Sequence, residues 1–195
     1  MEEISSKITE WLIKQQVIQR DDMEIYQYGL FHMIMNLADI ISIILISLYF
    51  GKIELAVIYL VFFCVLRKYA GGYHAKTIVG CYIITLSTVT LMFGVVNYWN
   101  TSLSSMIWVW VIVSLNIFIL APVQSQNKKL DEMENLVYRR RTLAIWVVES
   151  SIMWIFYGLG MRDISKAILV NGIIVSASMD FEKLLYILRV KICRT

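Results

Sequence analysis

The sequence predicts an all-α, polytopic membrane protein: about six transmembrane or membrane-embedded helices behind an N-terminal amphipathic interfacial helix. Three observations carry this reading. Apolar residues make up 58% of the 195-residue chain, its mean hydropathy is +0.65, and it holds a single proline. Six apolar runs follow one another, where a helix needs about 20 such residues to cross the hydrocarbon. The basic residues gather in alternate connecting segments, as the cytoplasmic excess of Lys and Arg requires. No linker rich in Ser, Gly or Pro divides the chain, so one membrane domain over 23–195 follows an amphipathic segment at 1–22.

Residues 4–18 place Ile4, Ile8, Trp11, Leu12 and Ile18 on one face of a helix that Arg20, Asp21 and Asp22 end. Such a helix either lies in the membrane interface or packs on the protein's own cytosolic side. The apolar spans run at 28–50, 55–66, 77–98, 106–123, 143–161 and 167–179. The first, third, fourth and fifth are long enough to cross. The second has only twelve uncharged residues between Glu54 and Arg67, and gains length if Arg67 and Lys68 snorkel. The sixth is marginal, because charge interrupts its continuation through Leu184 to Leu188.

With the N-terminus cytosolic and the loops alternating, fifteen of the 18 basic residues fall on inner segments. The outer loops keep Lys52, Arg162 and Lys166. This puts both termini and the segment around His74 on the cytosolic side of a multi-pass bacterial cell membrane. Aromatics Tyr98, Trp99, Trp108 and Trp110 flank one outer loop and read as interface anchors. The three cysteines, Cys64, Cys81 and Cys193, are odd in number and scattered, which fits reduced thiols rather than a disulfide framework.

The stretch richest in chemistry is Arg67 to Cys81. It holds Arg67, Lys68, the pair Gly71-Gly72, His74, Lys76, Gly80 and Cys81 between apolar runs. Imidazole and thiol together can form a nucleophile with its base. On one straight helix, seven positions would hold their Cα atoms about 10 Å apart along the axis, too far for the pair to meet. The backbone must turn between them, and Gly71, Gly72 and Gly80 permit it. His74 is therefore expected on a loop or first turn folded toward Cys81. Nearby cations and a helix N-terminus would favour the thiolate. Spacing alone leaves a structural anchoring loop open as the other reading.

Arg67, Gly71-Gly72, His74-Ala75 and Cys81 resemble the signature of the accessory gene regulator B (AgrB) family. The number and length of the spans, the amphipathic start, and Ala121-Pro122-Val123 before a basic Asn127-Lys128-Lys129-Leu130 segment extend the resemblance over most of the chain. In that family a proline often follows the first lysine of this segment, where this chain has Lys129. The resemblance implies a quorum-sensing cysteine endopeptidase acting on an AgrD-type propeptide. It implies Cys81 as nucleophile and His74 as general base, with Arg67, Gly71 and Gly72 shaping the site. The product would be a thiolactone or lactone autoinducer.

The basic loop 124–142 contains Lys128, Lys129, Arg139, Arg140 and Arg141 beside Asp131, Glu132 and Glu134. It serves topology and lipid headgroups, a dock for an acidic propeptide tail, or both. Asp39 and Glu149 lie inside apolar spans, either as packing groups or as partners of His74 or Arg67. His32, Asn36 and Asp39 share a helix face and form a polar seam. Cys64 and His32 make a rival thiol–imidazole pair without the glycine-rich setting, and Cys193 sits in a basic tail. No His-Glu-x-x-His, Gly-x-Ser-x-Gly or P-loop pattern occurs, so neither a metal site nor a cofactor is expected. Nucleic-acid binding has no support, since the basic residues adjoin lipid spans. The expected partners are the propeptide, the bilayer and, for so small a membrane protein, a second copy in a homodimer. The alternative class is a small transporter or peptide exporter with a broken-helix gate at 67–76, coupled through Asp39 and Glu149.

Overall fold

The computed structural model describes residues 2–73, 75, 77–100, 102–123 and 131–192. Among these residues it contains seven α-helices: α1 (Glu2–Lys14), α2 (Met23–Tyr49), α3 (Ile53–Ala70), α4 (Ile78–Tyr98), α5 (Leu103–Leu120), α6 (Glu132–Gly158) and α7 (Arg162–Ile192). Four helical stretches are long and apolar enough to cross a membrane: Arg20–Tyr49, Ile78–Tyr98, Leu103–Leu120 and Arg162–Arg189. Cys193 lies outside the described residues.

Helix α1 stops at Lys14, short of the expected residue 18, where Gln16 adopts a left-handed φ of 58°. Arg20–Asp22 form a 3-10 turn that leads into α2 instead of closing α1. Helix α1 packs on α2. Its buried face is Ser5 and Thr9, and its apolar side chains Ile4, Ile8 and Trp11 remain exposed.

The helix that the sequence makes marginal is the centre of the bundle. Helix α7 packs against α3, α4, α5 and α6. Each of the three apolar clusters takes residues from it: Ala167 and Val170, Val175 and Met179, Ile168 and Leu169. Its small and polar residues lower its hydropathy, but these are the contacts that let neighbours approach and bond. Gly172 faces the Trp146 ring. Ser165 donates to Met153 O (3.0 Å), and Asn171 donates to the Glu149 carboxylate (3.0 Å). Asn116 of α5 donates to Ser176 and Asp180 at 2.7 and 2.6 Å. Charge in its last turns does not break the helix, because Lys183 and Tyr186 point outward while Glu182 turns in.

A further expectation changes. Helix α6 begins at Glu132, so the second half of the expected 124–142 loop is helical. The cause is local: Asp131 and Glu134 form a capping box, each side chain bonding the other's backbone N–H. Trp110 is half-buried. Its indole donates to Ser150 (3.0 Å) and packs edge-on against Trp154. Trp108 and Tyr98 do face outward.

The two ends of the bundle differ. At one, Lys52 bridges Asn97 (2.8 Å) and Asp163 (2.7 Å), and Lys166 donates to Val96 O (3.1 Å). This ties the α2–α3 turn to the end of α4 and the start of α7. Arg67, Arg139, Arg141 and Arg189 lie at the other end. From Arg162 to Glu182 α7 rises about 30 Å, one hydrocarbon thickness.

Gly172→Ala tests the tightest crossing. Alanine improves helix propensity by about 1 kcal/mol, but its Cβ would strike Trp146, which is 2% exposed and anchored to Ser114 (3.0 Å). Overpacking costs about 1–3 kcal/mol, so the unfolding midpoint in detergent should fall. A raised midpoint would mean that the ring yields freely.

Candidate active site

Between α3 and α4 the chain passes through a short non-helical crossing whose path two glycines determine. Gly71 has φ 75° and Gly72 φ 107°, both in the region that side chains disfavour. Space demands glycine as well. A Cβ on Gly71 would run into the Val123 carbonyl, and one on Gly72 would meet the Arg67 guanidinium and Ser178. Gly71 pairs with Val123 in an isolated parallel bridge, and Val123 N–H donates to Ala70 O (3.0 Å). Tyr73 N–H donates to Ser178 O (3.0 Å), and its ring packs edge-on against Phe181. The crossing is thus threaded between the segment after α5 and the second half of α7. Gly80, by contrast, is no hinge. It lies in the first turn of α4, where its N–H donates to the N-cap Thr77 hydroxyl (3.1 Å).

Arg67 holds this crossing from inside. Its guanidinium donates to Gly71 O (3.0 Å), to the Ser178 hydroxyl and to Tyr73 O. All three acceptors are neutral. Cys81 is an exposed free thiol, one turn into α4, with its N–H on Thr77 O (3.0 Å).

The other residues singled out in the sequence divide clearly. His74, Lys128 and Lys129 lie outside the described residues. Arg139 donates to Phe118 O (3.0 Å) and Ala121 O (3.3 Å), so it caps the end of α5. Arg141 stacks over Tyr69, which meets Tyr138 edge-on. Arg140 is exposed. Glu149 bonds Asn171 beside an apolar cleft between α3 and α6, so it is not paired with Arg67. Asp39 is half-buried, and His32 packs on Tyr28 in its own helix. Asn36 faces outward, which interrupts the expected polar seam. Cys64 is exposed on α3.

Sequence reading missed Ser178, Glu182 and Val123. Ser178 and Glu182 are spaced i, i+4 on α7, and that periodicity was their signal, masked by the charge of the surrounding tail. Glu182 is 5% exposed and reaches Arg189 at 3.8 Å.

The crossing can be tested against a glycine of similar backbone. Gly51 has φ 64° with nothing within 4 Å of where a Cβ would stand, so Gly51→Ala meets only the backbone cost. Gly72→Ala adds collisions with Arg67 and Ser178 and should lose at least about 1 kcal/mol more, read as unfolding in detergent. Equal losses would show that the crossing is not tightly held.

Comparison with known proteins agrees with this architecture. The family model described as AgrB, accessory gene regulator B, matches residues 5–182. An AgrB-like protein of Clostridium perfringens strain SM101 is 26% identical over 200 residues, covering 96% of this chain and 92% of that protein. AgrB-like protein 1 of Clostridium perfringens strain 13 is 26% identical over 146 residues, 75% of this chain and 76% of that one. No solved structure matches. The chain belongs to the accessory gene regulator B family.

Proposed function

We propose that the protein is a membrane cysteine endopeptidase that removes the C-terminal tail of an AgrD-type propeptide and supports cyclisation of the remainder. The observation that carries this is the exposed free thiol of Cys81 in the first turn of α4, reached through a glycine crossing that the half-buried Arg67 holds in place. His74 follows Tyr73 in the chain. In this reading His74 takes the Cys81 proton, the sulfur attacks the scissile carbonyl, and the departing amine leaves with the proton returned by His74. The propeptide's N-terminal part is then a thioester on Cys81. An internal cysteine of the peptide displaces Cys81 and closes a thiolactone, exchanging one thioester for another without ATP. An internal serine would close a lactone instead.

The same reading places six helices, α2 to α7, in the bilayer. Helix α3 turns Val57, Val61 and Val65 outward, and α6 does the same with Val147, Val148 and Ile155. Such apolar outer faces suit lipid. The exposed Ile4, Ile8 and Trp11 of α1 suit the interface. The Lys52–Asp163 end would face outward, with both termini and Cys81 cytosolic. A homodimer remains part of this proposal as a partner arrangement. In the basic segment, Lys128, Lys129 and Arg140 are the residues proposed to meet an acidic propeptide tail, because Arg139 and Arg141 already serve their own chain.

Two measurements test this. Co-expressed with an AgrD-type propeptide, Cys81→Ser and His74→Ala should each abolish tail removal with membrane insertion unchanged. Cleavage by Cys81→Ser would favour a gate that tolerates the swap, and would sink the peptidase reading. Arg140→Glu should weaken processing of an acidic-tailed propeptide about tenfold while sparing one whose tail is neutralised. Equal processing of both would remove the docking role.

A further inference from the structure

Helices α3 and α6 pack together and leave a cleft of about 290 Å³ between them. Its walls are Val61, Phe62 and Val65 of α3 and Ala144, Ile145 and Val148 of α6, all apolar. Val61, Val65 and Val148 are exposed, so the cleft opens on the outer surface of the bundle. Glu149 borders it, and its carboxylate accepts from Asn171 of α7. The two walls continue to a basic mouth. Lys68 lies three residues beyond Val65 and seven beyond Val61, while Arg141 precedes Ala144, Ile145 and Val148 by three, four and seven. These spacings repeat one face of a helix, and seven residues rise about 10 Å. Both cations sit on one ring: Lys68 Nζ is 5.6 Å and Arg141 Cζ 5.4 Å from the centre of Tyr69. Tyr138 of α6 meets the same ring edge-on. An aromatic face attracts a cation without neutralising it. Lys68 and Arg141 are exposed, and neither has an ion-pair partner among the described residues. Two uncancelled charges therefore stand at the end of an apolar groove built by the same two helices.

We propose that this α3–α6 face binds one anionic glycerophospholipid, with its phosphate between Lys68 and Arg141 and an acyl chain in the groove toward Val61 and Val148. The cations select a negative headgroup, and the groove selects a molecule that brings its own hydrocarbon. An acidic peptide would satisfy the cations, but its backbone would enter the cleft with no polar wall to bond it. A cleft at the small end of ligand pockets also suits a single chain. Lipid held here would join the ends of α3 and α6 next to the crossing, since α3 ends at Ala70 and Gly71 follows. The proposal rests on α3 and α6 lying in the bilayer, and on no assignment of the nucleophile.

The test gives the full chain in detergent micelles dioleoyl phosphatidylglycerol or dioleoyl phosphatidylcholine, which share acyl chains, and reads lipid retention by native mass spectrometry. Phosphatidylglycerol should be retained in preference, one lipid per chain. Lys68→Gln and Arg141→Gln should each weaken its retention about fivefold, the effect of one basic side chain at an anionic surface, and leave phosphatidylcholine unchanged. Ala144→Phe, which fills the groove, should weaken retention without removing a charge. Lys183→Gln, which removes an exposed cation elsewhere at the same end of the bundle, should leave it nearly unchanged. Equal loss in Lys183→Gln would reduce the effect to net charge and overturn the proposal. Displacement of the lipid by glycerol phosphate at matched concentration would also overturn it, because that anion has no chain. Should Ala144→Phe not fold, this competition decides the role of the groove. Binding of an acidic-tailed propeptide that falls in Lys68→Gln and Arg141→Gln while lipid retention does not would assign the patch to peptide instead. Protease cutting of α3 and α6 in vesicles would overturn their placement in the bilayer and the site with it. Protected helices without the headgroup preference would refute the lipid site alone.

Discussion

The constraint on which this structure depends is that a non-helical crossing beside a bilayer must satisfy its own backbone. Helices solve this internally, and the 71–73 segment cannot. Its groups are met one by one from elsewhere. Ala70 O receives Val123 N–H, Tyr73 N–H goes to Ser178 O, and Gly71 O and Tyr73 O both receive Arg67. Three separate parts of the chain therefore converge on a few residues: the end of α3, the extended segment after α5, and α7. The glycines follow from that convergence, since the backbones of Val123 and Ser178 come too close for any side chain. A segment built this way has little freedom.

Helix α7 makes the convergence possible, and its composition explains both its burial and its poor hydropathy. Lipid tails are as apolar as leucine, so burying more leucine gains nothing in a membrane bundle. Close packing and interhelical hydrogen bonds do the joining. Gly172 admits the Trp146 ring, and Ser165, Asn171, Ser176 and Ser178 all bond to neighbouring elements. The same feature limits what the sequence discloses. Hydropathy and charge spacing give α2, α4 and α5 closely, because those helices turn apolar residues outward and read as lipid spans. They undervalue α7, whose solvent is other helices. They also hide the start of α6, where the capping box at Asp131 and Glu134 outweighs the look of a charged loop.

The site was legible in one dimension only. Glycines at 71 and 72 between two apolar runs signal a turn, and the structure places that turn there with both residues at positive φ. Ser178 and Glu182 were not legible, because 111 positions separate Arg67 from Ser178 and nothing local announces the contact. The contacts of Arg139 were not legible for a related reason. A basic cluster looks like a docking surface until the partner of each side chain is known, and Arg139 is occupied by the carbonyls that end α5.

The choice of arginine at position 67 follows from the same accounting of partners. A lysine could place one ammonium among three acceptors, but it could not span Gly71 O, Tyr73 O and the Ser178 hydroxyl with a rigid fork of N–H groups. Because those acceptors are carbonyls and a hydroxyl, the hydrogen bonds fix the group without cancelling its charge. A carboxylate in the same place would have fixed it equally well and extinguished its field. The guanidinium therefore serves as a strut for the crossing.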